Sequence, residues 1–234
     1  MELNELLQRS PIRILELSIN GGLKAGETGV VASQSGLGKT SVLVQLALDK
    51  LLQGKKVIHV SFAQHTHYVL AWYEDIFNEF ISRKNLQKPE EIKDSLVKNR
   101  VLMNFSQDSM SISQVLKSLR AMIVDGCFKA DSLIIDGFDF SRADTACISG
   151  VKAFAAELGL SVWYSCNVSD RGRQFDEQNF PIMLKGFSEL IDVAIVLESK
   201  QDHIVLSISK DRENSNTGTM LLDPRTLLIL EGQE

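Results

Sequence analysis

Short apolar runs rich in branched side chains alternate with helical segments along most of the chain. This alternation is typical of a mainly parallel sheet that is covered by helices. From Ile191 onward, apolar runs follow one another across short polar turns, which predicts C-terminal antiparallel strands. The expected fold class is therefore α/β. The earlier strands are predicted near residues 28–33, 56–62, 100–105, 131–136 and 161–166.

Two helices are predicted in detail from the spacing of their apolar residues. Segment 39–53 is apolar nearly all round and is followed by Gly54, a residue type common just past a helix C-terminus, so we expect a buried helix. Segment 112–124 places its apolar residues on one face, and Ser111 and Gln114 form a capping-box pattern before it. That face consists of Ile112, Val115, Leu116, Leu119, Met122 and Ile123.

The size of the chain suits a single domain. It has 234 residues, of which 44% are hydrophobic, enough to build a substantial core. Because no internal repeat or linker divides it, we predict one domain over residues 20–234, preceded by an arm or short helix over residues 1–19. The formal net charge of −5 gives no overall positive field that would attract nucleic acid.

No feature of the sequence indicates a membrane or an oxidising compartment. No apolar run approaches the roughly 18 residues of a transmembrane helix, and the N-terminus lacks a basic start followed by an apolar block. The three cysteines lie far apart and do not have paired metal-ligand spacing. They are Cys127, Cys147 and Cys166. We therefore expect a cytoplasmic protein with reduced thiols and no membrane contact.

A glycine-rich segment, SQSGLGKTS, covers residues 33–41 and is called the glycine loop below. It follows a predicted strand and opens the predicted buried helix, and its last residues match a Walker A motif in the context that the motif requires. Glycines let backbone N–H groups surround phosphate oxygens, Lys39 can reach the terminal phosphates, and the Thr40 hydroxyl can bind Mg²⁺. The predicted nucleotide-binding residues are Ser33, Gln34, Ser35, Gly36, Leu37, Gly38, Lys39, Thr40 and Ser41.

The first glycine of that motif is replaced by Ser33, a mild departure because Gly36 and Gly38 still supply the tight curl. A glycine-rich turn before an ordinary helix would also explain the loop taken alone. The segment DSLIIDGFDF argues against that reading, because it places Asp136 at the end of a buried strand, as in a Walker B motif. We therefore predict Thr40 and Asp136 as metal ligands, and ATP and Mg²⁺ as cofactors.

The opening segment SINGGLKAGETGVVASQSGLGKTSVLVQLAL resembles that of RecA-like ATPases of the KaiC and hexameric-helicase (DnaB) type. KVIHVSF, SVWYSCNVSDRGR and MLKGFSELIDVAIVLES resemble later parts of these proteins, so that the similarity runs from about Asn20 to the end. The resemblance implies a RecA-like P-loop NTPase fold and ATP as the nucleotide. It also implies that Asn167 is a polar sensor residue at the end of a core strand.

The segment SISKDRENSNTG resembles the Lys-x-Arg hairpin of the same families. There, the lysine and arginine reach the γ-phosphate bound by the neighbouring subunit. The resemblance thus implies that Lys210 and Arg212 act across an interface and that the protein forms a homo-oligomer. An ordinary solvated basic turn remains the alternative.

The acidic residue that these families place after the second core strand is missing. Ala63 and Gln64 occupy the matching positions, and losing a positioned general base costs about 10²–10⁴ in rate. Gln64 can orient a water molecule but cannot act as the base. His65 and His67 are candidates for a substitute base or, less favoured, a metal-binding pair. Asp139 is another candidate, although a role in capping a turn or in supporting a metal ligand from behind is favoured for it.

Two functions of different classes follow from these residues. The first is an ATP-binding protein with weak or absent hydrolysis, in which the nucleotide controls oligomer assembly or binding of a protein partner. The second is an active DNA-dependent ATPase, helicase-like or recombinase-like, that binds single strands through residues 169–180. That segment carries Arg171 and Arg173 near Phe175 and Phe180.

Nucleic-acid binding is the less favoured of the two, because acidic residues nearly cancel the charge of that segment. They are Asp170, Asp176 and Glu177. An ordinary polar loop is the favoured interpretation of the segment. A structural remnant with an empty glycine loop is least favoured, because Lys39, Thr40 and Asp136 are all present.

Overall fold

The computed structural model of the protein describes residues 11–63, 65–84, 89–106, 111–168, 172–200, 202–214 and 218–230. The strands are β1 (Thr28–Ser33), β2 (Val57–Ser61), β3 (Arg100–Asn104), β4 (Ser132–Asp136), β5 (Ser161–Asn167), β6 (Val193–Lys200), β7 (His203–Asp211) and β8 (Thr219–Leu222). The α-helices are α1 (Pro11–Ser18), α2 (Lys39–Leu52), α3 (Thr66–Lys84), α4 (Pro89–Lys98), α5 (Ile112–Arg120) and α6 (Thr145–Leu158). Shorter helical segments are the π-helical turn Ala121–Asp125 and the 3₁₀ helices Phe140–Arg142 and Ile182–Leu190.

All eight strands belong to one sheet with the order β3-β2-β4-β5-β1-β6-β7-β8. Neighbouring strands from β3 to β6 are parallel, whereas β7 and β8 add antiparallel strands at one edge. The prediction of an α/β fold with a mainly parallel sheet and C-terminal antiparallel strands is confirmed. β1, β2 and β4 are buried along their whole length, as expected for parallel strands covered on both faces.

The helices cover both faces of the sheet. Because successive strand residues point to opposite sides, each strand contributes to a core on either face. Val31 and Ile134 contribute to a core on the face that α1, α2, α3 and α4 cover. Val30 and Ile135 contribute to a second core, under α5, α6 and the helix Ile182–Leu190. α2 is buried nearly all round, as predicted, because the sheet lies on one side of it and other helices pack on the other.

The predicted start of the second helix is confirmed in its hydrogen bonds. The side chain of Ser111 accepts a bond from the N–H of Gln114, and the side chain of Gln114 accepts one from the N–H of Ser111. α5 ends at Arg120, and the chain continues as the π-helical turn through Asp125. The apolar residues predicted on one face of this helix pack into the second core.

Residues 11–18, within the stretch predicted to be an arm or a short helix, form helix α1. Its residue Leu15 is buried, and the carboxylate of Glu16 lies 2.6 Å from the ammonium of Lys50 on α2. No helix in the described parts of the chain combines the length and hydropathy needed to cross a bilayer.

Candidate functional site

The glycine loop connects β1 to the N-terminus of α2 at the carboxyl edge of the parallel strands. Gly36 and Gly38 have φ angles of +83° and +92°, in the left-handed region that favours glycine. Gly38 is the residue immediately before the first turn of α2. The first N–H groups of a helix have no partner within the helix and carry a positive partial charge. The loop and the helix N-terminus therefore form a cradle suited to an anion.

Lys39 lies across the inside of this loop and is only 8% exposed. Its ammonium donates hydrogen bonds to the carbonyl oxygens of Ser33, at 3.1 Å, and of Gln34, at 2.8 Å. It also lies 3.1 Å from the hydroxyl oxygen of Ser33. The residue that replaces the usual first glycine thus helps to hold the lysine, and the positive charge lies where the loop curls.

Thr40 and Asp136 are the two predicted metal ligands, and the structure brings them into direct contact. The hydroxyl of Thr40 donates to Oδ2 of Asp136 at 2.8 Å, although the residues are 96 positions apart. On β5, Ser165 donates its hydroxyl to Oδ1 of Asp136 at 2.6 Å and accepts a bond from the N–H of Gly137 at 2.7 Å. Both carboxylate oxygens are therefore held in place, and Asp136 is 3% exposed.

His59 lies behind this carboxylate in the middle of β2 and is completely buried. Its Nδ1 lies 3.1 Å from the phenol oxygen of Tyr73 on α3, and its Nε2 lies 4.0 Å from Oδ2 of Asp136. Burial lowers the pKa of His59 to about 4, although the charge of Asp136 acts in the opposite direction. The imidazole is therefore neutral at pH 7.

Ala63, which lies where the resemblance places an acidic residue, is close to Asp136. The N–H of Phe62 donates to the carbonyl of Asp136 at 2.8 Å, so the chain leaving β2 runs along the end of β4. Ala63 packs so closely on Gly137 that a β-carbon on that glycine would lie 2.4 Å from Cβ of Ala63. The exposed methyl group of Ala63 thus stands at this edge of the site. Gln64, predicted to be catalytic, lies outside the described residues.

The residues that the sequence suggested as substitute bases, His65, His67 and Asp139, lie at the surface or cap a turn. Nδ1 of His65 and Nδ1 of His67 lie 3.2 Å apart, and both side chains are exposed. Oδ1 of Asp139 accepts hydrogen bonds from the N–H and hydroxyl of Ser141 at 3.0 and 2.6 Å, which is the turn-capping role favoured for it. In the described residues, no three or more His, Cys, Asp or Glu side chains are grouped to hold a metal ion.

Asn167, the predicted sensor residue, lies at the end of β5 directly beside Ser33 in the strand register. Its side chain is exposed next to the beginning of the glycine loop. A second contact joins this region to the glycine loop, since the side-chain amides of Gln34 and Gln174 lie 3.4 Å apart. The structure thus places Asn167 at the expected edge of the sheet, while its sensor role stays a prediction.

The proposed nucleic-acid segment is only partly available at the surface. Residues 169–171, including Arg171, lie outside the described residues. Nε of Arg173 donates to the carbonyl of Phe175 at 3.0 Å, and the ring of Phe180 is 8% exposed and packs into the second core. A buried Phe180 cannot stack on a base unless the segment rearranges.

Lys210 and Arg212 lie near the amino ends of the parallel strands, whereas the glycine loop lies at their carboxyl ends. Lys210 pairs with Ala194, and Ala194 pairs with Val30, three residues before Ser33. Three residues of strand span about 10 Å, and Arg212 lies further in the same direction. The ammonium of Lys210 donates to the carbonyl of Ser188 at 2.6 Å. Within one chain, Lys210 and Arg212 therefore lie at the other end of the strands from the glycine loop.

The guanidinium of Arg212 is held by several groups of its own chain. It forms an ion pair with Glu27 and donates to the carbonyls of Ile19 and Gly22 at 3.2 and 2.9 Å. Burial acts to raise the pKa of Glu27, but the hydrogen bonds and charge of Arg212 bring this pKa below its ordinary value. The role of Arg212 across an interface stays a prediction, and it requires that these bonds be rearranged or shared.

A C-terminal segment that the sequence did not connect with the site packs against α2. The hydroxyl of Ser41 donates to the carbonyl of Leu227 at 2.9 Å, and the side-chain amide of Gln45 donates to the same oxygen at 3.0 Å. Gln45 also accepts a bond from the N–H of Ile229 at 3.0 Å. Leu227 has a φ of +56° and borders Gly38. The segment therefore supports the first turn of α2.

No model of a known protein family matches the chain, and no curated protein is significantly similar to it in sequence. The interpretation of the site consequently depends on its residues and their geometry.

Proposed function

We propose that the protein binds Mg·ATP at the glycine loop, hydrolyses it slowly or not at all, and uses the nucleotide to control assembly or the binding of a protein partner. One observation carries the proposal, the 2.8 Å contact between Thr40 and Asp136. Two sequence motifs that are distant along the chain meet in one place, and Lys39 directly precedes Thr40 in α2. A chance glycine-rich turn does not account for that convergence.

The donor set fits a nucleotide with its magnesium ion. Mg²⁺ prefers oxygen ligands and keeps several waters, so that one or two protein oxygens with phosphate oxygens are enough to hold it. Thr40 and Asp136 offer a hydroxyl and a carboxylate, while the loop N–H groups and Lys39 would bind phosphate oxygens. The bound ion would offset the negative charge of the phosphates and the carboxylate.

The α/β fold is compatible with this proposal. A parallel sheet places ligands at the carboxyl ends of its strands, where the glycine loop and Asp136 both lie. We infer that the chain has a RecA-like P-loop fold, because the glycine loop follows β1 and antiparallel strands extend the sheet beyond β6. The choice of ATP over GTP rests on the resemblance of the sequence to RecA-like ATPases.

Slow turnover is proposed because of the residues at the end of β2. A methyl group at position 63 can neither accept a proton nor orient a water molecule. The other candidate bases have neighbours that explain their positions: Asp139 caps a turn, and the exposed His65 and His67 lie against each other. The site is therefore better equipped to hold a nucleotide than to cleave it.

Replacing Asp136 by Asn tests the metal site. Asn keeps the shape and can still accept from Thr40, but it removes the negative charge that attracts the cation. We expect the Mg²⁺ concentration that half-maximally promotes ATP binding to rise about tenfold or more, while ATP binding in EDTA changes little. Asp139→Asn, the same chemical change three positions further along, is the control. An Asp136→Asn protein with the wild-type magnesium requirement would remove this residue from the site.

Nucleotide-dependent assembly tests the regulatory part of the proposal. If Lys210 reaches a phosphate bound by a neighbouring subunit, Mg·ATP should increase the average mass measured by sedimentation or light scattering. Lys210→Ala should reduce that increase, whereas Lys55→Ala, which removes an exposed lysine on the loop after α2, should leave it intact. A wild-type mass that is identical with and without Mg·ATP at high protein concentration would contradict nucleotide-controlled self-assembly.

The alternative function, a DNA-dependent ATPase, has one favourable observation. The contact between Gln34 and Gln174 connects the segment predicted to contact single strands with the glycine loop. Against it stand the burial of Phe180 and the acidic residues of the same segment. Strong stimulation of phosphate release by single-stranded DNA would favour this alternative over the nucleotide-binding proposal.

A further inference from the structure

The most unusual group near the proposed site is the buried imidazole of His59. It lies on a strand that is otherwise apolar or small on the same face, where Val57 packs into the first core. In the described parts of the chain, its Nε2 atom is buried and has no group within hydrogen-bond distance. Buried polar atoms almost always have a partner, so an unpartnered one calls for an explanation.

The surroundings of His59 determine which nitrogen carries the proton. If the phenol of Tyr73 donates to Nδ1, then Nε2 carries the hydrogen and points it toward the carboxylate of Asp136. In the other tautomer, a lone pair of Nε2 would face the carboxylate oxygen, which is unfavourable. Arg100 reinforces the first arrangement, because its guanidinium lies over the ring of Tyr73, 4.3 Å from the centroid, and strengthens the phenol as a donor.

The acceptor of this hydrogen is the oxygen that already contacts Thr40. Oδ2 of Asp136 accepts from Thr40 at 2.8 Å and lies 4.0 Å from Nε2 of His59, while Oδ1 is held by Ser165. The gap to Nε2 is about 1 Å longer than a hydrogen bond. In the observed arrangement Thr40 and Ser165 hold the two carboxylate oxygens, so the gap can close only when Thr40 releases Oδ2. His59 is therefore the donor poised to hold Oδ2 when the hydroxyl oxygen of Thr40 turns toward a cation.

We propose that His59 is a positioning residue, which orients the carboxylate of Asp136 through Nε2–H and so sets the affinity of the nucleotide site for its divalent cation. This inference rests on the proposed function, since it assigns a role toward the metal ion of the same site. Partners of this kind, which orient a metal ligand from behind, typically change metal affinity by about 10- to 100-fold when they are removed.

A pair of amide substitutions separates this role from ordinary core packing. In His59→Asn, the short amide can still reach Tyr73 but is too short to reach Asp136. In His59→Gln, the longer amide places a donor near the position of Nε2. Both variants are neutral and polar, and they differ by one methylene group. Thermal unfolding and circular dichroism establish that each is folded.

The measurement is a Mg²⁺ titration of ATP binding, followed with a fluorescent ATP analogue, together with binding in EDTA. We expect His59→Asn to raise the half-saturating Mg²⁺ concentration by about 10- to 100-fold, while His59→Gln stays close to wild type and both bind the nucleotide normally in EDTA. Tyr73→Phe removes the phenol that keeps the proton of His59 on Nε2, so it should also raise the half-saturating Mg²⁺ concentration. This second variant keeps the test decisive if His59→Asn does not fold.

The outcomes distinguish this inference from the function on which it rests. Wild-type protein that binds no nucleotide would overturn the proposed function and this inference together. Wild-type binding that depends on Mg²⁺, with an unchanged Mg²⁺ titration in His59→Asn and Tyr73→Phe, would overturn the inference alone. Equal losses of ATP affinity in EDTA and in Mg²⁺ would also overturn it, since they would show that His59 contributes only to packing.

Discussion

Lys39→Ala is expected to abolish, or greatly weaken, the binding of Mg·ATP while the protein stays folded. The ammonium of Lys39 lies inside the curl of the glycine loop, where it donates to two carbonyls of the loop itself. These neutral contacts hold the charge at the place where phosphate oxygens would lie. A charged hydrogen bond to phosphate is about twice as strong as a neutral one. Its loss therefore acts mainly on the bound state.

Calorimetric titration of the folded variant measures this effect. Lys55→Ala is the matched control, because it removes the same charge from an exposed position beyond the other end of α2. We expect that control to bind Mg·ATP like the wild type. Equal affinities of Lys39→Ala and wild-type protein would show that the glycine loop is not the phosphate site.

Ala63→Glu is expected to raise the rate of ATP hydrolysis by about 10²–10⁴, the usual contribution of a positioned general base. The side chain at position 63 is exposed and lies next to Gly137, immediately beyond Asp136. A glutamate there meets no buried surroundings and can orient a water molecule near the terminal phosphate. The other residues that the proposal assigns to the site, Lys39, Thr40 and Asp136, are present in the wild type.

Phosphate release at saturating Mg·ATP checks this expectation. Ala63→Gln, which has the same shape as the glutamate variant but no charge, separates a base from a residue that only positions water. Both variants should bind ATP with the wild-type affinity. Hydrolysis by Ala63→Glu that stays at the wild-type level, in protein that still binds ATP, would contradict the assignment of position 63.

The sequence predicted the framework of the site because that framework depends on local patterns. Strands that are buried on both faces have nearly continuous apolar sequences, so β4 and its end at Asp136 could be located from the sequence alone. The glycine loop likewise has its own local signature. That Thr40 and Asp136 meet follows from placing both motifs at the same edge of a parallel sheet.

Other parts of the site depend on how strands and helices align, which local patterns do not determine. Ser165 contacts Asp136 because of the relative register of β4 and β5, and His59 lies 4.0 Å from it because Ser61 lies opposite Asp136. A polar residue at an inward position of a buried strand was the available signal for His59. Leu227 gave no signal, since a leucine with positive φ has no sequence signature.

The most direct test of the central claim is to measure Mg·ATP binding and phosphate release on the same purified sample, with and without single-stranded DNA. The account predicts saturable binding that requires Mg²⁺ for full affinity. It also predicts phosphate release more than about 100-fold below the roughly 10 s⁻¹ that is typical of enzymes, with little effect of DNA. The absence of binding would contradict the account, and so would rapid phosphate release that Lys39→Ala eliminates.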